Sequence, residues 1–149
     1  MSDVEVSRVI SATPERVYEL VSDLPRMGEW SPENNGGTWL GGITTPTVGS
    51  KFKGKNAHGW RRWSTLATVV VADPGKEFTF DVTSTGMKLA RWGYRLEAVE
   101  GGTKVTEAWT DQRAKLMARI TGLVVGVTDR AAHNKAGMEQ TLERLAAAV

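Results

Sequence analysis

A chain of 149 residues is long enough for one domain with a real core. Its 40% hydrophobic and 24% charged content is ordinary for a globular protein, and a net charge of +2 excludes the strongly basic balance of a general nucleic-acid binder. The absence of cysteine removes disulfides, thiolate chemistry and cysteine-based zinc sites, and it suits a reducing cytoplasm, where the protein is expected. The opening residues Met1 to Glu5 lack the basic start and apolar run of a signal peptide.

Val4, Val6 and Ile10 alternate with Glu5, Ser7 and Ser11, which predicts an opening strand whose apolar face is interrupted by Arg8. Thr13 is a good helix N-cap, Pro14 suits the first helical turn, and Val17, Leu20 and Val21 give a short helix. A second short turn or helix is predicted over Leu24 to Trp30, before Pro32 and the loop-forming Asn34-Asn35-Gly36-Gly37. Strands dominate from there. They are expected near Thr38-Trp39-Leu40, over 50–57 with Phe52 opposite Lys51, Lys53 and Lys55, and over 60–72 with Trp63, Ala67, Val69 and Val71 on the more apolar face. Asp73-Pro74-Gly75-Lys76 is a turn, since proline fixes φ and glycine supplies φ > 0. Phe78, Phe80 and Val82 alternate next. Ala90, Trp92, Tyr94 and Leu96 follow, and after Glu100-Gly101-Gly102 come Val105, Glu107 and Trp109.

The last 35 residues, from Lys115, contain no proline and read as one long amphipathic helix. At about 100° per residue, Leu116, Ile120, Leu123, Val127, Asn134, Met138, Thr141 and Leu145 share a narrow stripe, which Ala131 and Leu142 widen. Asn134 sits within the stripe and Arg130 at its edge. Gly122, Gly126 and Gly137 lie along one flank, where they permit close packing or leave room, and Thr121 to Gly126 is a plausible bend. Consecutive strands with short connections imply a curved antiparallel sheet that covers its aromatic face with the long helix. The expected fold is therefore α+β, a sheet of about six or seven strands gripping a C-terminal helix, with two short helices after the first strand. No repeat or linker divides residues 1–149, so a single domain is expected.

This order of elements resembles the helix-grip fold of the START/birch-pollen-allergen superfamily, in particular its bacterial polyketide cyclase/dehydrase and lipid-transport-like group. The resemblance spans essentially the whole chain. It is carried by Ser11-Ala12-Thr13-Pro14-Glu15-Arg16-Val17-Tyr18 with Asp23, by Glu29-Trp30-Ser31-Pro32, and by Asp73-Pro74-Gly75-Lys76. Gly102-Thr103-Lys104-Val105-Thr106, Asn134-Lys135-Ala136-Gly137-Met138 and Thr141-Leu142-Glu143-Arg144-Leu145 complete it. The resemblance implies a cavity between helix and sheet that holds an apolar ligand. It does not choose among carriers, sensors and cyclases, and no residue set in this chain matches a cyclase's catalytic constellation.

The residues alone leave two readings of the aromatic face open. Trp63, Phe78, Phe80, Trp92, Tyr94 and Trp109 either pack as a core or line a cavity with a few polar anchors; the resemblance favours the cavity. Glu107 and Arg8 fall on apolar strand faces, and Arg130 and Asn134 on or beside the helix stripe. One reading pairs the charges as a buried Glu–Arg ion pair and bonds the amide to backbone. In the other, Tyr94, Glu107, Arg130 and Asn134, with Met138, orient a polar group on an apolar ligand. Glu107 would then be a candidate general base raised by burial, and Tyr94 or Arg130 would stabilise an enolate.

His58, in a hairpin turn, and His133, off the helix stripe, have no ligand-spaced partners, so no metal and no cofactor is expected. Lys51, Lys53, Lys55, Arg61 and Arg62 place five positive charges in twelve residues, with Trp60 and Trp63 interleaved. They read as a solvated outer face guarding a sheet edge, or as a weak contact for an anionic surface. No nucleic-acid partner is expected. The leading expectation is a binding protein for a hydrophobic small molecule (a lipid, polyketide or isoprenoid-like compound), acting as carrier or sensor. The alternatives are a cofactor-independent cyclase or dehydratase on an aromatic-polyketide-like substrate, and an interaction module acting through the basic hairpin.

Overall fold

The computed structural model describes residues 2–32, 34–113 and 130–149, apart from the side chains of His58 and Arg130. Among these residues, seven strands form one antiparallel sheet. They are β1 (Val4–Ile10), β2 (Asn34–Trp39), β3 (Lys51–His58), β4 (Arg61–Asp73), β5 (Glu77–Ser84), β6 (Met87–Val99) and β7 (Gly102–Asp111). The order across the sheet is β1-β7-β6-β5-β4-β3-β2. Strands β2 to β7 thus form a meander, and the first strand returns to pair with the last, with Val6 opposite Glu107.

Turn chemistry sets the meander. Thr85 and Gly86 both have positive φ, 50° and 79°, as the two-residue turn between β5 and β6 requires. At the β4–β5 turn, Lys76 N donates to Asp73 O at 2.9 Å, with Gly75 at φ 76°. Asn34-Asn35-Gly36-Gly37, expected as a loop, belongs to β2 instead. Asn34 Oδ1 accepts from Gly36 N at 2.7 Å, and the register shifts between Asn34 and Gly37. A Cβ on Gly37 would lie 2.1 Å from Lys53 O, so glycine is what lets β2 approach β3.

A bulge in β4 between Val69 and Val71 moves the apolar face by one residue. Beyond it Ala72, not the expected Val71, packs toward the core opposite Phe78. Arg8 is also displaced from expectation. It is exposed, because β1 is an edge strand and the long side chain reaches solvent past the sheet rim.

Helix α1 (Pro14–Val21) forms as its cap predicts: Arg16 N donates to Thr13 Oγ1 at 3.1 Å, and Pro14 opens the first turn. It buries Val17, Leu20 and Val21, and a 3-10 helix over Leu24–Glu29 follows. Helix α2 (Arg130–Ala148) buries Asn134, Met138, Thr141, Leu142 and Leu145, the expected stripe. Ala131 is exposed although it shares a flank with Leu142, because only the C-terminal turns of that flank reach the main core. Leu116, Ile120, Leu123 and Val127 of the stripe, the flanking Gly122 and Gly126, and the Thr121–Gly126 bend lie outside the described residues, as do the side chains of His58 and Arg130. No described helix is long and apolar enough to cross a membrane.

The buried apolar residues divide into two clusters. The larger joins α1, the 3-10 helix, β5 and the C-terminal half of α2 through Phe78, Val105, Leu142 and Leu145. The smaller gathers Ala90, Trp109 and Met138, with Trp92 and Val6 against them.

Candidate functional site

The aromatic strand faces, the 3-10 helix and α2 enclose a cavity of about 170 Å³. An apolar cavity of about 150 Å³ already admits benzene, so this space accepts at least a small aromatic group. Its apolar lining includes Phe52, Trp63, Phe80, Trp92, Trp109 and Met138. Period-2 alternation delivers the sheet residues: Trp92 stands opposite Trp109 across the β6–β7 pair, their rings 6.4 Å apart.

One register step along the same two strands, Tyr94 stands opposite Glu107. The Tyr94 hydroxyl donates to Glu107 Oε1 at 3.0 Å. Both side chains line the cavity and both are buried, Glu107 at 3% exposure. Glu107 Oε2 has no hydrogen-bond partner among the described residues. Burial pushes the Glu107 carboxyl up to about 8, against which the Tyr94 hydrogen bond acts only weakly. Burial likewise raises the Tyr94 phenol well above its ordinary value, helped by the neighbouring carboxylate. At neutral pH the pair therefore holds two protons, one on each residue.

Among the described residues no arginine forms the expected ion pair with Glu107. Arg8 points to solvent, and the Arg130 side chain lies outside the described residues. Asn134 does reach the cavity, at 7% exposure. Of the aromatic residues expected at the site, Trp63, Phe80, Trp92, Tyr94 and Trp109 line the cavity, and so does Met138. Phe78 does not. It is fully buried in the main cluster, edge-to-face with Tyr18 of α1 at 6.0 Å, because β5 carries it under the end that α1 closes.

Other lining residues escaped the sequence reading. Asn56 and Thr65 face each other from β3 and β4, with Asn56 Nδ2 donating to Thr65 Oγ1 at 2.9 Å. The alternation Phe52, Gly54, Asn56 was the available signal. His133 and Gly137 flank the apolar stripe of α2 and line up at i, i+4 with Thr141 of the stripe itself. Thr141 Oγ1 donates back to Gly137 O at 2.8 Å, and a Cβ on Gly137 would meet Pro32 at 3.4 Å, so this glycine serves close packing. Arg113, past the end of β7, lines the cavity while its guanidinium grips the Asp111 carboxylate at 2.8 and 2.9 Å; no pattern in the chain announced it. Among the described residues no group of histidine and acidic side chains is disposed to hold a metal ion.

A family model described as polyketide cyclase/dehydrase and lipid transport matches residues 1–149. The chain belongs to this family. A polyketide-cyclase-like protein from Corynebacterium glutamicum, Cgl2372, is 34% identical over 97% of this chain and 81% of its own, with a TM-score of 0.55. Protein CV1439 from Chromobacterium violaceum shares the fold at a TM-score of 0.73 and 17% identity, covering 99% of this chain and 96% of its own. So does the di-domain aromatase/cyclase StfQ of the steffimycin biosynthetic pathway, at a TM-score of 0.73 and 12% identity, covering 97% of this chain and 49% of its own. No functionally curated protein matches the sequence. As a member of the polyketide cyclase/dehydrase and lipid transport family, the chain has the helix-grip architecture expected from its element order.

Proposed function

We propose that this protein binds a hydrophobic small molecule, a lipid, polyketide or isoprenoid-like compound, in the cavity between the sheet and α2, as a cytoplasmic carrier or sensor. The observation that carries the reading is the combination of an aromatic wall with a buried carboxyl oxygen that has no partner among the described residues. A solid core would not leave a carboxyl half satisfied; a binding site does. Family membership supports the same reading. Native mass spectrometry and solvent extraction of the purified protein should release a bound apolar species, or the empty protein should take up a fluorescent apolar probe. A protein that carries nothing and takes up no such probe would remove this reading.

The Tyr94–Glu107 pair favours one second reading, a cofactor-independent cyclase or dehydratase. A carboxyl with a pKa near 8 is suited to proton transfer at neutral pH, and the Tyr94 hydroxyl lies beside it to steady developing negative charge. Under this reading Glu107→Gln abolishes turnover of an aromatic-polyketide-like substrate while the substrate still binds. Full activity in that variant would end it.

The basic hairpin supports a docking role for a carrier. Trp60 at its tip is 79% exposed, Arg61 stacks over the Trp60 ring at 4.4 Å, and Lys51, Lys53 and Lys55 are exposed on the outer face of β3. An aromatic tip among cations suits the interface of an anionic bilayer. Binding to vesicles with a fifth or so of anionic lipid should weaken when the three lysines become glutamates, and weaken further in high salt.

A further inference from the structure

Most polar groups around the cavity already have partners. Asn56 is bonded to Thr65, Thr141 to a helix carbonyl, and Arg113 to Asp111. Glu107 Oε2 is buried without a partner among the described residues, and the Asn134 amide lines the same space. One comes from β7 and the other from α2.

The hydrogen-bond pattern decides what the free end of Glu107 offers. The Tyr94 hydroxyl spends its proton on Oε1, so Oε1 is an acceptor. When the carboxyl is neutral its own proton therefore sits on Oε2, which makes Oε2 a donor without an acceptor. A ligand oxygen that only accepts hydrogen bonds would complete it, and the Asn134 amide can donate to the same oxygen. A carboxylate in that position would meet the Glu107 carboxyl in an apolar enclosure. With Glu107 neutral, the ligand carboxylate alone would carry its charge into an apolar space, which costs far more than burying a carbonyl. The Arg113 guanidinium already has its charge balanced by Asp111, which it grips through Nε and Nη2.

We propose that the polar end of this cavity takes an apolar molecule terminating in a neutral carbonyl oxygen, with the Glu107 carboxyl donating to it, and turns away the corresponding carboxylate. The inference rests on the ligand-binding reading above and specifies the class of ligand. It also makes binding pH-dependent, since ionised Glu107 cannot donate and repels the ligand oxygen. The groups that face Glu107 are few. Among the described residues they are Tyr94 on β6, uncharged Val6 on β1, Asn134 and His133 on α2, and Arg113 just past β7 with Asp111 at its end. With Glu107 losing its proton near pH 8, carbonyl binding falls about tenfold from pH 7 to pH 9.

The test uses three naphthalenes of matched shape, measured by calorimetric titration into the full chain. These are 2-acetylnaphthalene, 2-naphthoate and naphthalene itself. At pH 7 the ketone should bind at least about tenfold tighter than the carboxylate and several-fold tighter than naphthalene. Its affinity should fall about tenfold by pH 9, while that of naphthalene should not change. Glu107→Gln should remove the pH dependence. Histidine side chains titrate in an overlapping range, so His133→Asn serves as the control and should retain the fall. Naphthoate binding as tightly as the ketone, or a pH profile unchanged in Glu107→Gln, would overturn the inference and leave the ligand-binding reading standing. Failure of all three compounds to bind at any pH would remove both. The ketone-against-carboxylate comparison needs no variant, so the inference is decided even if the Gln substitution fails to fold.

Discussion

Glu107 should make the stability of this protein depend on pH in a direction opposite to that of most carboxylates. The folded state raises its carboxyl from 4.5 to about 8, so the folded chain holds a proton that the unfolded chain releases at lower pH. Stability is therefore greatest below about pH 4.5 as far as this group is concerned. It declines as pH rises through that window and levels off above about pH 8. At about 1.36 kcal/mol per pH unit the full effect approaches 5 kcal/mol, and the part lost between about pH 6 and pH 9 is about 2–3 kcal/mol. Water entering the cavity as the carboxyl ionises would lower both figures. Glu107→Gln keeps the shape and the acceptor for the Tyr94 hydroxyl but cannot ionise. Taken as the neutral carboxyl, it should exceed the parent by about 2 kcal/mol at pH 6 and by nearly 5 kcal/mol at about pH 9, a gap that widens by about 2–3 kcal/mol between the two. Urea unfolding followed by tryptophan fluorescence across this range measures the difference directly, and other titrating groups cancel between the two proteins. Parallel pH profiles would refute the assignment of a buried, proton-holding Glu107.

Three further substitutions separate the core, the cavity and the sheet. Phe78→Ala removes a fully buried ring of the main cluster and should cost about 3–5 kcal/mol by chemical denaturation. Ala90→Leu builds into the cavity beside Trp92 and Trp109, and should abolish uptake of an apolar probe while changing stability by no more than about 1–3 kcal/mol. Gly37→Ala drives a methyl group against Lys53 O and should destabilise the chain, with faster amide exchange in β2 and β3 than in the parent.

Much of the fold was legible because alternation and turn chemistry agreed along the chain. Phe78-Phe80-Val82 and Val105-Glu107-Trp109 fixed their strand faces, and Asp73-Pro74-Gly75-Lys76 fixed the turn that joins two strands. The errors fall where one residue is inserted or an edge is open. The β4 bulge exchanged Val71 for Ala72, and the rim position of β1 freed Arg8, features that depend on the partner strand. At the site, Tyr94 and Glu107 could be placed on one inward face from period alone. Their meeting as a pair follows from the β6–β7 register, which the short Glu100-Gly101-Gly102 turn sets. Phe78 and Phe80 share that face yet part company, one under α1 and the other on the cavity, because the helices cover the sheet unevenly. Arg113 carried no periodic signal, since it lies beyond the strand.

The pairing of β1 with β7 has a consequence for how the site comes into being. β1 and its partner strand lie about a hundred residues apart in the chain, and contacts of that span slow folding. Val6 of β1 lies directly opposite Glu107. If that edge opens together with α2, the carboxyl meets water and ionises as an ordinary acid. The β1–β7 ladder is thus one of the covers, with α2, that keep water from the carboxyl. Refolding at neutral pH should therefore draw close to one proton from solution for this group, visible with a pH indicator dye.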